Sequence, residues 1–147
     1  MINSIKKIRE QTGLSVSDIK KALDEAGGAE EKALEILRGR GHQIAEKKSS
    51  RQASQGIVES YIHSDGKKGV ILVLNCETDF VAKSPEFKAL AHDLAMQVAS
   101  MSPKDARELM DQPFIKDQSR TVKDLIAGHI AKLGENIKVG GFSRLEI

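Results

Sequence analysis

The chain has 147 residues, of which 39% are hydrophobic and 30% charged, enough for one ordinary core and a small satellite domain. Its 23 basic and 21 acidic side chains leave a formal net charge of +2, too balanced for the strongly basic face that grips DNA. A single cysteine, Cys76, excludes an internal disulfide framework and a four-cysteine zinc site, and it fits a soluble protein of the reducing cytoplasm. The opening residues Met1 to Lys7 run into charge, and the longest apolar run is Val70 to Leu74, so neither a signal peptide nor a membrane span is expected.

Taken in order, Ile2, Ile5 and Ile8 recur at helical spacing and Thr12-Gly13 supplies a stop, which predicts a short first helix. Ser15 or Ser17 can cap a second helix, with Val16, Ile19, Ala22, Leu23 and Ala26 as its apolar stripe and Gly27-Gly28 as its end. A third helix turns Ala33, Leu34 and Leu37 inward, leaves Glu30, Glu31, Lys32 and Glu35 wet, and is expected to end at Gly39 or Gly41. Residues 1–41 thus read as a three-helix bundle, only marginally stable alone. Residues 42–55 hold almost no large apolar side chain and read as a linker or an exposed helix.

The composition then changes, and residues 56–147 read as an α+β core. Ile57 to His63 and Val70 to Cys76 predict two strands joined by the turn residues Ser64-Asp65-Gly66. The second strand is apolar at successive positions, which places it centrally with cover on each side. Ser84-Pro85 opens a helix bearing Phe87, Leu90, Ala91, Leu94, Val98 and Met101 on one face. Ser102-Pro103 repeats that signal for a shorter helix with Leu109 and Met110, and Pro113 breaks the chain. Thr121 caps a last helix carrying Val122, Leu125, Ile126, Ile130 and Leu133, stopped by Gly134. The closing segment Ile137 to Ile147 alternates as an edge or returning strand, with Gly140-Gly141 allowing a bulge. The expected fold is α+β: the helical bundle, then a small antiparallel sheet with helices packed on one face.

Little in the chain carries bond-making chemistry. There is no G-x-x-x-x-G-K-[ST] phosphate loop, so direct nucleotide binding is not expected, and Gly39-Arg40-Gly41 lacks the third glycine of a dinucleotide fingerprint. His42, His63, His92 and His129 show neither metal-ligand nor triad-like spacing, and Cys76 on an apolar strand reads as a small buried thiol. No catalytic residue, metal site or cofactor is expected. Arg38 to Arg51 holds five basic residues against one acidic one and could meet phosphates, which supports an alternative reading as an RNA- or ribosome-associated module. That stretch has no aromatic residue for base stacking, so a solvated helix or linker is the preferred reading and direct nucleic-acid binding is not expected.

The segment Asn75-Cys76-Glu77-Thr78-Asp79-Phe80-Val81-Ala82-Lys83 resembles the T-D-F-V-[AS]-[KR] signature of the elongation factor Ts family, set just after a core strand. Ile8 to Gly13, Lys20-Lys21-Ala22-Leu23 and Ala26-Gly27-Gly28 resemble that family's N-terminal bundle, which is ubiquitin-associated-like. Lys47-Lys48 before Gly56-Ile57-Val58 resembles its join to the core, and Lys132-Leu133-Gly134-Glu135-Asn136-Ile137 is similar to its K-[IL]-G-E-N-[IV] motif. Where the family commonly reads T-G-A-G-M-M-D, this chain has Thr12-Gly13-Leu14-Ser15-Val16-Ser17-Asp18, and it has room for a single core half.

The resemblance implies a guanine-nucleotide exchange factor for the GTPase elongation factor Tu, not an enzyme, with Phe80 as a wedge and Asp79 near the magnesium and phosphates. Thr78, Val81, Ala82 and Lys83 complete that contact, and Arg9, Val16, Ser17 and Lys20 occupy the positions of an N-terminal grip. A single core half implies a homodimer, since its unburied surface needs a second copy. The residues by themselves leave alternatives: Phe80 follows an apolar strand and could fold into its own core, Asp79 could cap the next turn, and Arg9 and Lys20 could be merely solvated. The bundle alone could instead serve as a binder of ubiquitin-like folds.

Overall fold

The computed structural model describes residues 1–147 and contains seven helices and five strands. The chain divides into two compact units, Met1–Ser50 with Ala127–Gly134, and Arg51–Ile126 with Glu135–Ile147.

In the first unit, α1 (Ile2–Thr12) ends at Gly13, whose φ of 67° is the left-handed geometry that closes a helix without cost only at glycine. Ser15 caps α2 (Val16–Glu25) by accepting a hydrogen bond from the Asp18 N–H. Ile8, Ile19, Ala22, Leu23, Ala33 and Leu37 form the buried core of the bundle, with Ile5, Leu14, Ala26, Leu34 and Ile36 packed around it. Lys7 and Ser4 on α1 both hold the Glu30 carboxylate at the start of the third helix, at 2.7 and 2.9 Å. These contacts, Lys7 first, keep that carboxyl below the usual carboxylate range.

The third helix corrects the expected stop: α3 runs from Glu30 to Lys48, straight through Gly39 and Gly41. Glycine costs a helix interior only about 1 kcal/mol, which packing can offset. Gly41 is buried against the Ala127 backbone, and a β-carbon there would lie in ordinary contact, 3.7 Å from the Ala127 carbonyl oxygen, so packing rather than a break surrounds this glycine. The stretch 42–48 is therefore helix, followed by a turn at Ser49-Ser50.

In the second unit, β1 (Gln55–Ile62), β2 (Lys68–Cys76) and β5 (Lys138–Glu146) form an antiparallel sheet in the order β1-β2-β5. The central place of β2 agrees with its sequence, but its cover does not. Val70, Leu72, Leu74 and Cys76 are buried, whereas Ile71 between them is 57% exposed. Helices cover one face only, because α5 (Pro85–Met101) packs on β1 and β2 from that side. The open face carries Val58, Ile62, Ile71 and Leu145, which the strand registers put on the same face, with Ile71 between Ser60 and Ser143 and Gly69 between Ile62 and Leu145. The pairing of β2 with β5 shifts between Val73 and Leu74, and Gly140 is skipped there, as the bulge reading anticipated. A β-carbon at Gly140 would collide with the Asn75 carboxamide.

Ser84 caps α5, with Pro85 in its first turn, and Phe87, Leu90, Ala91, Leu94 and Val98 are buried as expected, while Met101 is exposed. Ser102-Pro103 does not open a helix. Ser102 closes α5 in the left-handed conformation, and Asp105 caps the short α6 (Ala106–Asp111) instead. The segment after Pro113 forms a small hairpin, β3 (Pro113–Phe114) with β4 (Asp117–Thr121), that the sequence reading missed. Buried Gln97 explains it: its carboxamide donates to the Pro113 carbonyl at 3.0 Å and accepts from the Ile115 N–H at 2.9 Å, anchoring a pairing too short for strand periodicity to reveal. Thr121 and Asp124 form a reciprocal cap for α7 (Val122–Leu133). No helix is long and apolar enough to cross a membrane.

Candidate functional site

The end of β2 leads into a four-residue helix, α4 (Asp79–Ala82), far too short to persist on its own propensity. It is held from both sides. Val81 and Ala82 are buried, which anchors its inner face. On the outer side the Thr78 hydroxyl accepts from the Val81 N–H at 3.2 Å, so Thr78, not Asp79, is the capping residue.

The same hydroxyl donates to Glu135 Oε2 at 2.6 Å, and Glu135 Oε1 accepts from the backbone N–H groups of Glu77 and Thr78, each at 3.0 Å. In return the Glu77 carboxylate accepts from the Asn136 N–H at 2.6 Å, and buried Asn136 donates through its carboxamide to the Arg51 carbonyl at 2.8 Å. Cys76 donates its thiol to the Thr78 carbonyl at 3.2 Å. Burial first, then the neighbouring Glu135 carboxylate, pushes that thiol above its ordinary pKa, so it stays protonated and is a poor nucleophile.

On this frame Phe80 points away from the core, 87% exposed. The alternative that it packs inward is removed by its place one residue before buried Val81 on a helix. Asp79 sits in the first turn and pairs with Lys83 at 2.7 Å, an i,i+4 contact whose hydrogen bond raises the lysine pKa. Both groups face solvent, so the pair is easily exchanged for another partner. The turn therefore presents one large ring and one carboxylate from a rigid base.

A second apolar feature lies in the helical unit. Ile2, Ile5 and Val16, with Lys6, Arg9 and Glu10, line an open groove of about 530 Å³. Of the residues proposed for the N-terminal grip, Arg9 and Val16 meet there, while Ser17 and Lys20 are exposed but lie outside its lining. The basic stretch is partly consumed within the fold, since Arg40 pairs with Glu25 and Arg51 lies 3.7 Å from Glu77.

Residues 77–147 match the sequence model of a family described as Elongation factor TS. An Elongation factor Ts from Thermotoga petrophila is 44% identical over 186 aligned positions, covering 97% of this chain and 94% of that protein. The chain belongs to the elongation factor Ts family. Its relative from Carboxydothermus hydrogenoformans is 40% identical, with 97% and 87% of the two chains covered. One from Clostridium kluyveri is 46% identical over 143 positions, which take in 97% of this chain but 47% of that protein. The Thermotoga alignment needs more positions for the same share of this chain, so that relative carries residues inside the aligned region that are missing here.

Sequence reasoning identified the 78–83 segment but gave Glu135 no role beyond its place in a motif. The available signal was that motif itself: a carboxylate in a glycine-ended loop, where no helix or strand pattern requires one.

Proposed function

We propose that this chain promotes GDP release from elongation factor Tu by inserting Phe80 and bringing Asp79 toward the magnesium and phosphate site. Membership of the elongation factor Ts family supplies the activity, guanine-nucleotide exchange during translation elongation. The observation that carries the proposed route is the exposure of Phe80 on a turn held by hydrogen bonds to the Glu77, Thr78 and Val81 N–H groups on either side of it.

A ring buried in a partner contributes about 1.5–3 kcal/mol, roughly ten- to hundredfold in an equilibrium. Asp79 exchanges its Lys83 contact for the surroundings of the metal, and a second negative charge there weakens the arrangement that holds the phosphates. No bond is made or broken. A factor that prefers the nucleotide-free GTPase lowers nucleotide affinity by the free energy with which nucleotide lowers affinity for the factor. Release and reloading follow by mass action. Arg9 and Val16 at the groove, with Ser17 and Lys20 beside it, add a grip that raises affinity for the same partner.

The open sheet face supports pairing with a second copy of the chain, because it exposes Val58, Ile62, Ile71 and Leu145 on one side without a covering helix. Sedimentation of wild type and Ile71→Glu tests it: the proposal expects a dimer that the glutamate dissociates, and a monomeric wild type overturns it.

The exchange route is tested by release of a fluorescent GDP analogue from elongation factor Tu, with wild type and Phe80→Ala at catalytic amounts. Fast release that the substitution slows at least tenfold, with circular dichroism unchanged, supports the wedge. Equal rates for the two folded proteins refute it.

A further inference from the structure

We infer that Glu135 is a positioning residue for exchange: by holding the Glu77 and Thr78 backbone and the Thr78 hydroxyl, its carboxylate fixes the direction in which Phe80 is presented. This rests on the reading of Phe80 as the wedge and adds the group that aims it.

A threonine hydroxyl has one proton to give. With that proton on Glu135 Oε2, the oxygen's lone pairs are left for the Val81 N–H, and the cap of α4 is fixed in one rotamer. Glu135 Oε1 meanwhile takes the N–H groups of Glu77 and Thr78, two successive donors just before the helix, where no strand partner reaches them. The ion is a strong acceptor for donors of this kind. The loop that supplies Glu135 is held in turn by the Glu77 carboxylate on the Asn136 N–H, so neither loop can shift without breaking bonds in both directions. Asn136, anchored on the Arg51 carbonyl, keeps the pair from moving together.

The consequence falls on Phe80, whose ring is exposed and whose turn is otherwise held on its outer side only by the solvent-facing Asp79–Lys83 pair. Val81 and Ala82 anchor the inner face of a single helical turn, but an inner anchor alone leaves the turn free to fray at its start, where Asp79 and Phe80 lie. A ring on a fraying turn must be ordered as it inserts, and that ordering subtracts from the binding it provides. Glu135 supplies the order before the partner arrives.

The test is a double-mutant cycle on the full chain, reading the nucleotide-release rate from elongation factor Tu at saturating factor. Glu135→Ala slows release about tenfold in the wild-type background and adds nothing in the Phe80→Ala background. Glu135→Gln, which keeps an oxygen for the two backbone N–H groups, restores part of the loss. Thr78→Val, which leaves the carboxylate in place and removes the hydroxyl link, shows the same dependence on Phe80 and covers the case in which Glu135→Ala fails to fold. A Glu135→Ala loss of the same size with and without Phe80, or no loss in a folded variant, overturns the inference. If Phe80→Ala itself leaves release unchanged, the wedge reading has failed; if only the Glu135 and Thr78 variants are silent, the wedge stands and the positioning role falls.

Discussion

Two of the apolar features that the chain leaves open to a partner, the α4 turn and the α1–α2 groove, are built on opposite principles. At the α4 turn a single ring stands between engaged groups: the Glu77, Thr78 and Val81 N–H groups, the Thr78 hydroxyl and the Glu77 and Glu135 carboxylates all have partners. In the α1–α2 groove, aliphatic side chains collect around the start of a helix whose first residue has no side-chain cap and whose Ile2 is 83% exposed. The turn suits an element that must strike one position in the partner and act there. The groove suits an element that adds affinity by area and tolerates adjustment. The difference teaches that the proposed wedge stands on long-range hydrogen bonds, whereas the proposed grip rests on helices packed over a core of six buried residues.

The largest expected effect tests the groove's dependence on its core. Leu23→Ala removes a fully buried side chain and is expected to cost about 2–5 kcal/mol, enough to unfold a small bundle. Thermal unfolding should register it, and a titration of exchange against factor concentration should shift to higher concentration with the saturated rate retained. A fall in the saturated rate would dissolve the distinction between grip and wedge. Phe80→Ala comes next, with the opposite signature: the saturated rate drops by roughly ten- to hundredfold while the melting temperature stays unchanged, because the ring buries nothing in its own fold.

Ser15→Ala deletes the cap of α2 and is expected to lower the stability of the helical unit by about 1 kcal/mol, read as a lower denaturant midpoint, with exchange at saturation untouched. The smallest effect is a pH dependence. The Glu30 carboxyl is held below its ordinary pKa by Lys7 and Ser4, so the tie contributes above the unfolded value near about pH 4.3 and is lost as pH falls through the lower folded value. Acid should therefore weaken the bundle of wild type slightly more than that of Glu30→Gln, a difference measurable by far-ultraviolet circular dichroism between about pH 5 and pH 3.

Much of the fold was legible because the signals are local. Ser15, Ser84 and Thr121 act as caps within four residues, Gly13 and Gly134 end helices through their own backbone geometry, and the β1–β2 hairpin follows from two apolar strands and a turn. The errors have two causes. Gly39 and Gly41 look like stops, but a neighbouring backbone packs at Gly41, and the β3–β4 hairpin depends on Gln97 from α5; both need a contact that no short window contains. Ser102-Pro103 looks like a start, but Ser102 is already closing α5 on the Val98 carbonyl, a local signal that competes with the one read. The 78–83 segment was legible as a motif, and of the residues expected to grip, Arg9 and Val16 converge on the groove whereas Ser17 and Lys20 do not line it.

By itself, then, the sequence determined the main helices and the three strands of the larger sheet in order, the α+β class and the segment that carries the family signature, since periodicity, capping and turn chemistry operate over a few neighbouring residues. Only the tertiary structure decided that Phe80 faces outward, that one face of the sheet is left open, and that Thr78 takes its orientation from a carboxylate 57 residues further along the chain. A hydrogen bond across such a distance leaves no periodic trace; it exists because two loops end at the same edge of the sheet, one after β2 and the other before β5.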